Sequence, residues 1–512
     1  MPQKRNTRRA SNSWRKSARC WLRNREVGAV APSQPPPGCS NSVGCSLPRR
    51  RIARKWAREG SPRQTGAAMS HAAHIREGVA PREHGIGGQH PSRAETVRSA
   101  GAHIRVLRTA LLAVAFLLPL AVLPGLEQPF SRPKLILWVG VVLCGILSCG
   151  RRIWAAWGCL PQGLRITLAA WLGALGLSAL WGQFASLDSL ILPLAGIGWF
   201  VLLLAARPQA ERLSWVVVLS GSVVAGVALA QFLSADPFSA WGWIPASSGN
   251  SRMRVFATLG NPDFVAAFLT GLLPLTLSMA SALRGQRWLL LGLSGLQAAA
   301  ILATGSRAPV LALAAAFLWM TGLRARRLTC VLGLAAVCIV ALAATASPAR
   351  DLGTTLRGRF YIWRLSAPHL SEHFLLGLGP GGFTASFPAW ETQYWRGLPD
   401  DGDRTFAGIE DHAHNDYLEI LADYGAAGLL GFLGVFVWFL RTAAERSKTS
   451  RCPLRAGASA GVIALAVVAL VDFPLMRPAE VFLLWSLMAT SLLSRFQTFV
   501  DQPADVCKSR PA

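Results

Sequence analysis

The sequence has few charged residues for its length, and acidic residues are scarcer than basic ones. Only 15% of the 512 residues are charged, 52% are hydrophobic, and the mean hydropathy is +0.35. Long apolar runs at this composition exclude a soluble globular chain and predict a polytopic membrane protein. Lys and Arg number 52 against 26 for Asp and Glu, but 20 of the basic residues lie within the first hundred positions. The basic excess is therefore mostly a property of that tail, and nucleic-acid binding is not expected.

Several motifs of soluble enzymes and metal sites are missing. No cysteine lies in the polar segment 351–424, which excludes a disulfide framework there, and no Cys-x-x-Cys spacing occurs. No Gly-x-Ser-x-Gly elbow is present, so serine-hydrolase chemistry finds no support. The glycine cluster at 377–382 lacks the Gly-Lys-Ser/Thr ending of a phosphate-binding P-loop, and we interpret it as a turn between two amphipathic helices.

Residues 1–104 form a basic segment rich in Arg, Ser, Pro and Gly that cannot bury enough surface to fold alone. No apolar core follows the charges closely enough for a signal peptide. Two interpretations stay open. The segment is a disordered cytoplasmic arm attracted to anionic lipid, or it precedes a true start at Met69 or nearby, which we favour.

From Arg105 onward the apolar runs are long enough to predict an all-α polytopic membrane protein of about 12 transmembrane helices. Helices 1–9 are expected within 105–346 and helices 10–12 within 425–497, followed by a tail at 498–512. The predicted segments are 107–125, 135–150, 166–184, 188–206, 213–233, 261–283, 288–304, 308–323, 328–346, 425–441, 456–474 and 478–494.

Basic residues alternate between the connections of these segments, as the positive-inside rule requires. If the N-terminus is cytoplasmic, the inner connections hold 20 Lys and Arg and the short outer ones hold 6. We therefore expect both termini in the cytoplasm. The large loop 347–424 is then expected on the outer, periplasmic side.

The large loop begins with three arginines, Arg357, Arg359 and Arg364, interleaved with aromatic residues. Arg359 and Trp363 are four residues apart and share one helix face. This pattern is typical of a basic interfacial helix lying on the bilayer. The same residues also suit a phosphate-bearing lipid substrate.

His414 is the most informative single residue of the loop. Tyr417, Leu418 and Leu421 follow at three, four and seven positions, which predicts a helical stripe leading through Gly425 into a membrane helix. A histidine at headgroup height can exchange a proton near neutral pH. Alternatives are an exposed or capping histidine, or a metal site whose ligand-capable residues are Glu410, Asp411, His412, His414 and Asp416.

Arg307 lies between two apolar segments, in the turn 303–309. One interpretation is an arginine that extends to lipid headgroups. The other is an anion clamp that holds a lipid phosphate through paired donors.

Four short patterns together resemble the O-antigen ligase/polymerase superfamily. Residues 304–307 resemble its Thr-x-Ser-Arg signature, and 359–363 followed by 377–379 resemble its Arg-x-x-x-Trp … Gly-x-Gly pattern. Residues 414–428 resemble His-Asn-x9-Gly-x-x-Gly, the most specific of the four. Residues 260–263, Gly-Asn-Pro-Asp, resemble its Gly-Asn-Pro-Asn helix start with Asp in the last place.

The resemblance implies a glycosyltransferase of the bacterial inner membrane that needs neither metal nor nucleotide. Its donor would be a glycan on undecaprenyl pyrophosphate, its acceptor a lipid A-core or another glycan, and membrane lipids would surround it. By resemblance, His414 is the catalytic histidine that activates the acceptor hydroxyl, and Arg307 and Arg359 bind the pyrophosphate. Secondary candidates are Arg357, Arg364, Arg404, Asn415 and Tyr417.

The motifs do not separate a ligase from a repeat-unit polymerase or a protein O-glycan transferase, because these share donor chemistry. A transporter is a further hypothesis of a different class. It predicts ionisable residues within the spans, where the sequence has almost none apart from Asp472 near one end.

Overall fold

The computed structural model describes residues 93–241, 255–323, 331, 333, 335, 337–338, 352–396, 408 and 410–494. The chain divides into two units, 1–87 and 88–512, and the described residues all belong to the second. The N-terminal segment up to residue 92, nearly all of the predicted span 328–346, Arg404 and the tail 498–512 lie outside the described residues.

The described residues form α-helices and short 3₁₀ turns and contain no strand. The helices are α1 (Arg93–Leu117), α2 (Arg132–Gly158), α3 (Gln162–Trp181), α4 (Leu187–Ala206), α5 (Ala210–Phe232), α6 (Pro262–Ala282), α7 (Arg287–Thr304), α8 (Ala308–Gly322), α9 (Leu352–Leu370), α10 (Gly382–Arg396), α11 (Asp416–Thr449), α12 (Pro453–Val468) and α13 (Pro478–Leu493).

Eight of these helices are long and apolar enough to cross a membrane, and α8, α12 and α13 are shorter apolar helices. Together they overlap every predicted apolar segment except 328–346. The all-α, membrane-spanning class is therefore confirmed, while the count of twelve and the orientation of the loop stay predictions. Several predicted bounds were wrong. Helix α2 is longer than 135–150, α11 extends to Thr449 rather than 441, and α12 ends at Val468 rather than near 474.

Helix α6 is the centre of the bundle, because it is buried almost all round. Asn261 begins it: its side-chain oxygen accepts a hydrogen bond from Asp263 N at 2.9 Å, as expected for the Gly-Asn-Pro-Asp start. Gly271 of α6 and Gly461 of α12 lie at the point of close approach between these helices. Small residues at that contact let the two backbones pack directly.

Helices α9 and α10 and the turn between them form a small second core beside the bundle. Its buried members include Tyr361, Leu365, Phe383 and Trp390. Arg364 lies on the exposed side of α9, so the predicted amphipathic helix is confirmed. The glycine cluster is the turn that the sequence analysis predicted between two helices.

Helix α11 is broken at Gly425, where φ is 66° and ψ is −172°. Only glycine adopts this conformation without strain. The helical stripe predicted to run through Gly425 into the membrane is therefore interrupted, and that prediction was wrong. The backbone groups freed at the break pair with the connection between α9 and α10, which includes the glycine turn: Leu378 N donates to Ala422 O at 2.8 Å, and Ala426 N donates to Phe374 O at 2.7 Å.

Asp423 completes the connection between the break and α10. Its carboxylate accepts hydrogen bonds from Gly381 N at 2.9 Å and from Phe383 N at 2.8 Å, at the N-terminus of α10. Its backbone oxygen accepts from Ser178 Oγ of α3 at 2.7 Å. One residue thus holds α3, α10 and α11 in a fixed arrangement.

We predict that Gly425→Ala lowers the stability of the protein by about 1–3 kcal/mol, because alanine is strained at this φ and ψ. The added Cβ would also meet the backbone of Leu375 and Gly377. The thermal midpoint in nanodiscs measures the effect. Gly176→Ala in α3 is the matched control, since nothing lies within 4 Å of its Cβ position and its midpoint should not fall. Equal midpoints for the two variants would contradict the prediction.

Candidate active site around His412 and His414

His414 lies in the loop just before α11, at one end of the bundle. Asn415 begins the helix: its Oδ1 accepts hydrogen bonds from Tyr417 N at 3.0 Å and Leu418 N at 3.1 Å. His414 is therefore outside the helix, and its predicted place on the helical stripe was wrong. Its φ of 49° is unusual for a residue other than glycine. Such strained backbone is found at functional sites.

The loop that carries His414 is fixed from three sides. Ala413 O accepts a hydrogen bond from Trp363 Nε1 of α9 at 2.9 Å. Ala413 N donates to Glu419 Oε2 at 3.0 Å. Asp416 N donates to Ala469 O, at the end of α12, at 2.9 Å. These contacts fix the backbone on both sides of His414, outside the helix face that the sequence predicted.

Two carboxylates flank the His414 ring. Nε2 is 3.7 Å from Glu410 Oε2, and Nδ1 is 3.8 Å from Asp472 Oδ1. Burial of the ring lowers its pKa and Arg359 lowers it further, but Asp472 and Glu410 outweigh both and raise the pKa of His414 to about 9. The ring is therefore an imidazolium at neutral pH in the resting protein.

Asp472 was not predicted as a site residue. The sequence placed it near the end of an apolar span, whereas α12 ends at Val468 and leaves Asp472 in the loop beside His414. It is buried, and its Oδ1 accepts a hydrogen bond from Phe473 N at 2.9 Å. The signal in the sequence was a single acidic residue among apolar ones, which is a functional hypothesis by default in a membrane protein.

Phe473 contacts two histidines. The His412 ring stacks on it with centroids 4.3 Å apart, and the His414 ring meets it edge-on at 4.9 Å. Arg477 lies over Phe473 at 4.5 Å and over Phe264 of α6 at 4.2 Å. His412 Nδ1 is 2.8 Å from Glu419 Oε1. Sequence reasoning considered His412 only as a metal ligand and missed Arg477 and the His412–Glu419 pair.

The three predicted arginines of α9 have different surroundings. Arg359 of α9 is half-buried, and its charge acts on His414. Arg364 instead lies over the Tyr394 ring of α10 at 6.0 Å, and Arg357 Nε donates to Gly353 O at 3.4 Å. Of these three, Arg359 is the arginine associated with His414.

Arg307 lies at the N-terminal end of α8, at the same end of the bundle as His414. Thr276 Oγ1 of α6 donates a hydrogen bond to Gln297 Oε1 of α7 at 3.0 Å, and Trp319 Nε1 of α8 donates one to Ser459 Oγ of α12 at 3.0 Å. Helix α7 therefore packs beside α6, and α8 packs beside α12 and runs in the opposite direction to α7. This packing brings the α7–α8 turn to the end of the bundle where α6 begins and α12 ends.

The two other secondary candidates make contacts within the protein. Asn415 caps α11, as described above. Tyr417 OH donates to Ala466 O of α12 at 2.7 Å. Both side chains thus position the His414 loop.

The five ligand-capable residues of the metal hypothesis do not converge. His412 faces Glu419, whereas His414 lies between Glu410 and Asp472. In the part of the chain that the structure describes, no three His, Cys, Asp or Glu side chains are arranged to hold a metal ion.

Residues 292–433 match a family model described as O-antigen ligase. The matched stretch begins in α7 and ends in α11, and it contains Arg307, Arg359 and His414. Three of the four motif resemblances fall inside it, and the Gly-Asn-Pro-Asp start of α6 precedes it. No curated protein matches the chain.

We predict that two variants shift the pKa of His414 in opposite directions. Asp472→Asn removes an opposite charge and should lower the pKa from about 9 towards the ordinary 6.5, whereas Arg359→Gln removes a like charge and should raise it. Diethyl pyrocarbonate acylates only the neutral imidazole, so its rate of modification against pH gives the pKa. Glu372→Gln, at an exposed position, is the control. If both variants shifted the pKa of His414 in the same direction, the opposite effects assigned to Asp472 and Arg359 would be contradicted.

Proposed function

We propose that the chain belongs to the O-antigen ligase superfamily, which the match over residues 292–433 supports, and that it is a membrane glycosyltransferase of cell-envelope polysaccharide synthesis. It transfers a glycan from undecaprenyl pyrophosphate to a lipid A-core or another surface glycan. We place it in the bacterial inner membrane, with both termini in the cytoplasm and the loop 347–424 in the periplasm. The observation that carries the proposal is the cationic cluster of His414 and Arg359 inside the matched region.

The cluster suits the leaving group of this reaction. When the bond between the anomeric carbon and the phosphate oxygen breaks, the electron pair leaves with undecaprenyl pyrophosphate. Fixed cations in a poorly hydrated site stabilise that developing charge. Arg359 and His414 supply two cations, and Arg307 at the same end of the bundle is the third. The donor is already activated, so no nucleotide is needed.

His414 is the proposed catalytic residue, and its surroundings favour a cationic role. Both ring nitrogens lie within 4 Å of carboxylate oxygens, which favours the doubly protonated ring. A bound pyrophosphate would stabilise the imidazolium further, because an opposite charge raises a histidine pKa. His414 would then stabilise the departing phosphate rather than take the proton of the acceptor.

A transporter finds less support. Ionisable side chains are buried in the apolar helices, as Lys134, Arg455 and Glu480 show. Each, however, is the third residue of its helix, in α2, α12 and α13 respectively. They therefore lie at helix ends, not along the middle of a transport path. A polymerase and a protein O-glycan transferase remain variants of the proposal that differ only in the acceptor.

We expect His414→Gln and Arg359→Gln each to lower the transfer rate by about 10²–10⁴-fold, the usual effect of removing one catalytic or charge-stabilising group. The assay uses purified protein in nanodiscs with an undecaprenyl-pyrophosphate-linked glycan and a lipid A-core acceptor. His373→Gln is the matched control, since His373 contacts Gln183 and no proposed site residue. Full activity of His414→Gln would overturn the catalytic assignment.

A deletion strain identifies the acceptor. Deletion of the gene in the native bacterium should leave lipid-linked polymer and bare core on a polysaccharide gel if the protein is a ligase. A polymerase defect instead leaves cores capped by single repeats. Unchanged surface polysaccharide and unchanged glycoprotein in the deletion strain would exclude all three variants.

The pH profile tests the charge state of His414. If the imidazolium is the active form, the rate should hold through neutral pH and fall as pH rises through about 9. The groups that face the ring are Glu410, Asp472 and Arg359. The fall should be absent from the residual activity of His414→Gln and present in His373→Gln. A rate that rises with pH up to about 9 would show that the neutral ring is the active form.

A further inference from the structure

A small cleft lies at the end of the bundle opposite His414, where the last turns of α2, α4 and α13 meet α11. Most of its wall is apolar, and two arginines complete it. The lining includes Ala156, Leu160, Leu204, Leu492, Arg207 and Arg446. No acidic side chain of the described residues lines it. We call it the Arg207 cleft.

Helix lengths place the Arg207 cleft about one hydrocarbon thickness away from the His414 loop. Tyr424 OH donates to Ser189 O at 2.8 Å, so α4 begins beside the break in α11. From there α4 runs to Arg207, and α11 runs from Gly425 to Arg446, each for about 30 Å at 1.5 Å per residue. The hydrocarbon core of a bilayer is equally thick. Both arginines therefore lie at the other headgroup layer, which is the inner leaflet in the orientation proposed above.

The backbone fixes the starting points of the two arginine side chains. Arg207 ends α4 in the left-handed conformation, with φ 51° and ψ 57°, and its N donates to Leu203 O at 2.8 Å. Arg446 Nη1 donates to Leu492 O of α13 at 3.3 Å. Arg446 O in turn accepts from Nη1 of the buried Arg455 at 3.0 Å. A residue other than glycine in the left-handed region is uncommon, and such strain is found at functional sites.

Two further arginines add positive charge beside the Arg207 cleft. Arg108 Nε of α1 donates to Ala206 O, next to Arg207, at 2.6 Å. The charges of Arg152 of α2 and of Arg207 both act on Arg108. Cations at such short range repel one another, and a bound anion would offset the repulsion. Four helices thus bring a cationic rim to an apolar wall.

This combination fits an anionic phospholipid. A guanidinium binds phosphate through paired donors, so Arg207 and Arg446 suit the headgroup. The apolar wall of alanine and leucine side chains suits the start of an acyl chain. Basic pockets between transmembrane helices on the cytoplasmic side bind anionic headgroups in this way. A small soluble anion would use the rim but gain nothing from the wall.

We propose that the Arg207 cleft binds the phosphate of one anionic phospholipid, which joins the end of α4 to α11. The inference goes beyond the proposed function, because the site lies across the bilayer from His414 and takes no part in glycan transfer. It requires only that the bundle lies in a membrane. The experiments that test it need no turnover, so they are independent of the transfer assay.

The first test counts lipids that stay bound to the protein. In native mass spectrometry, the wild type should retain one phosphatidylglycerol in preference to phosphatidylcholine. Arg207→Gln and Arg446→Gln should each weaken this retention by about tenfold or more, because each removes a charged hydrogen-bond donor. Equal retention of phosphatidylcholine by the wild type would overturn the proposal.

Arg284→Gln is the matched control for this test. Arg284 is exposed in the connection between α6 and α7, on the same side of the membrane in the predicted topology and outside the lining. Its retention of phosphatidylglycerol should equal that of the wild type. Equal weakening in all three variants would show that the general basic charge of this side attracts the lipid, and it would overturn the site.

Competition separates a lipid headgroup from a free anion. Inorganic phosphate should not displace phosphatidylglycerol from the wild type, because it lacks the acyl chain that contacts the apolar wall. Displacement by inorganic phosphate would assign the cleft to a soluble anion and overturn the proposal.

Hydrogen exchange on the wild type tests the site without any substitution. Phosphatidylglycerol added to phosphatidylcholine nanodiscs should slow exchange in the α2–α3 connection at 159–161 and in the α4–α5 connection at 207–209. Exchange in the α6–α7 connection at 283–286 should not change. No slowing, or equal slowing in all three connections, would contradict a site at the Arg207 cleft.

Discussion

The hydrogen bonds between the glycine turn and the broken helix α11 are the interaction on which the site depends. Inside an apolar bundle, a helix can stop and restart only where its freed backbone groups find partners. Here the connection between α9 and α10, with its glycine turn, supplies them at Gly425, and Asp423 ties the glycine turn to the start of α10. The first part of α11 joins this junction to the loop with both histidines, and Trp363 and Ala469 hold that loop as well.

Phe473 contacts two histidines that have different surroundings. His414 lies between Glu410 and Asp472, and these carboxylates raise its pKa to about 9. His412 is bound through one ring nitrogen to Glu419. Both residues are histidines, but His412 has one carboxylate beside its ring and His414 has two. The number of nearby carboxylates changes how readily each ring holds a second proton.

Much of the bundle follows from local properties of the sequence. Apolar runs located the described helices that cross the membrane, the glycine cluster located a turn, and Asn261 and Asn415 mark helix starts because their side chains bond nearby backbone. Other features depend on partners tens of residues away: the break at Gly425, the contact of Asp472 with His414 and the pairing of Arg132 with Asp188. Periodicity carries no information on such contacts. For this reason Asp472 and Arg477 were missed, His412 was considered only as a metal ligand, and His414 was placed on the wrong structural element.

The place of Asp472 and Phe473 in the chain also has a consequence for the synthesis of the protein. The loop that carries them lies between α12 and α13, the last two helices of the described residues. A nascent chain that ends at α11 already contains Arg307, Arg359, both histidines and Glu410, but it lacks Asp472, the second carboxylate beside His414, and Phe473, which contacts both histidine rings. The surroundings of the His414 ring are therefore complete only after α12 and α13 have been added to the bundle.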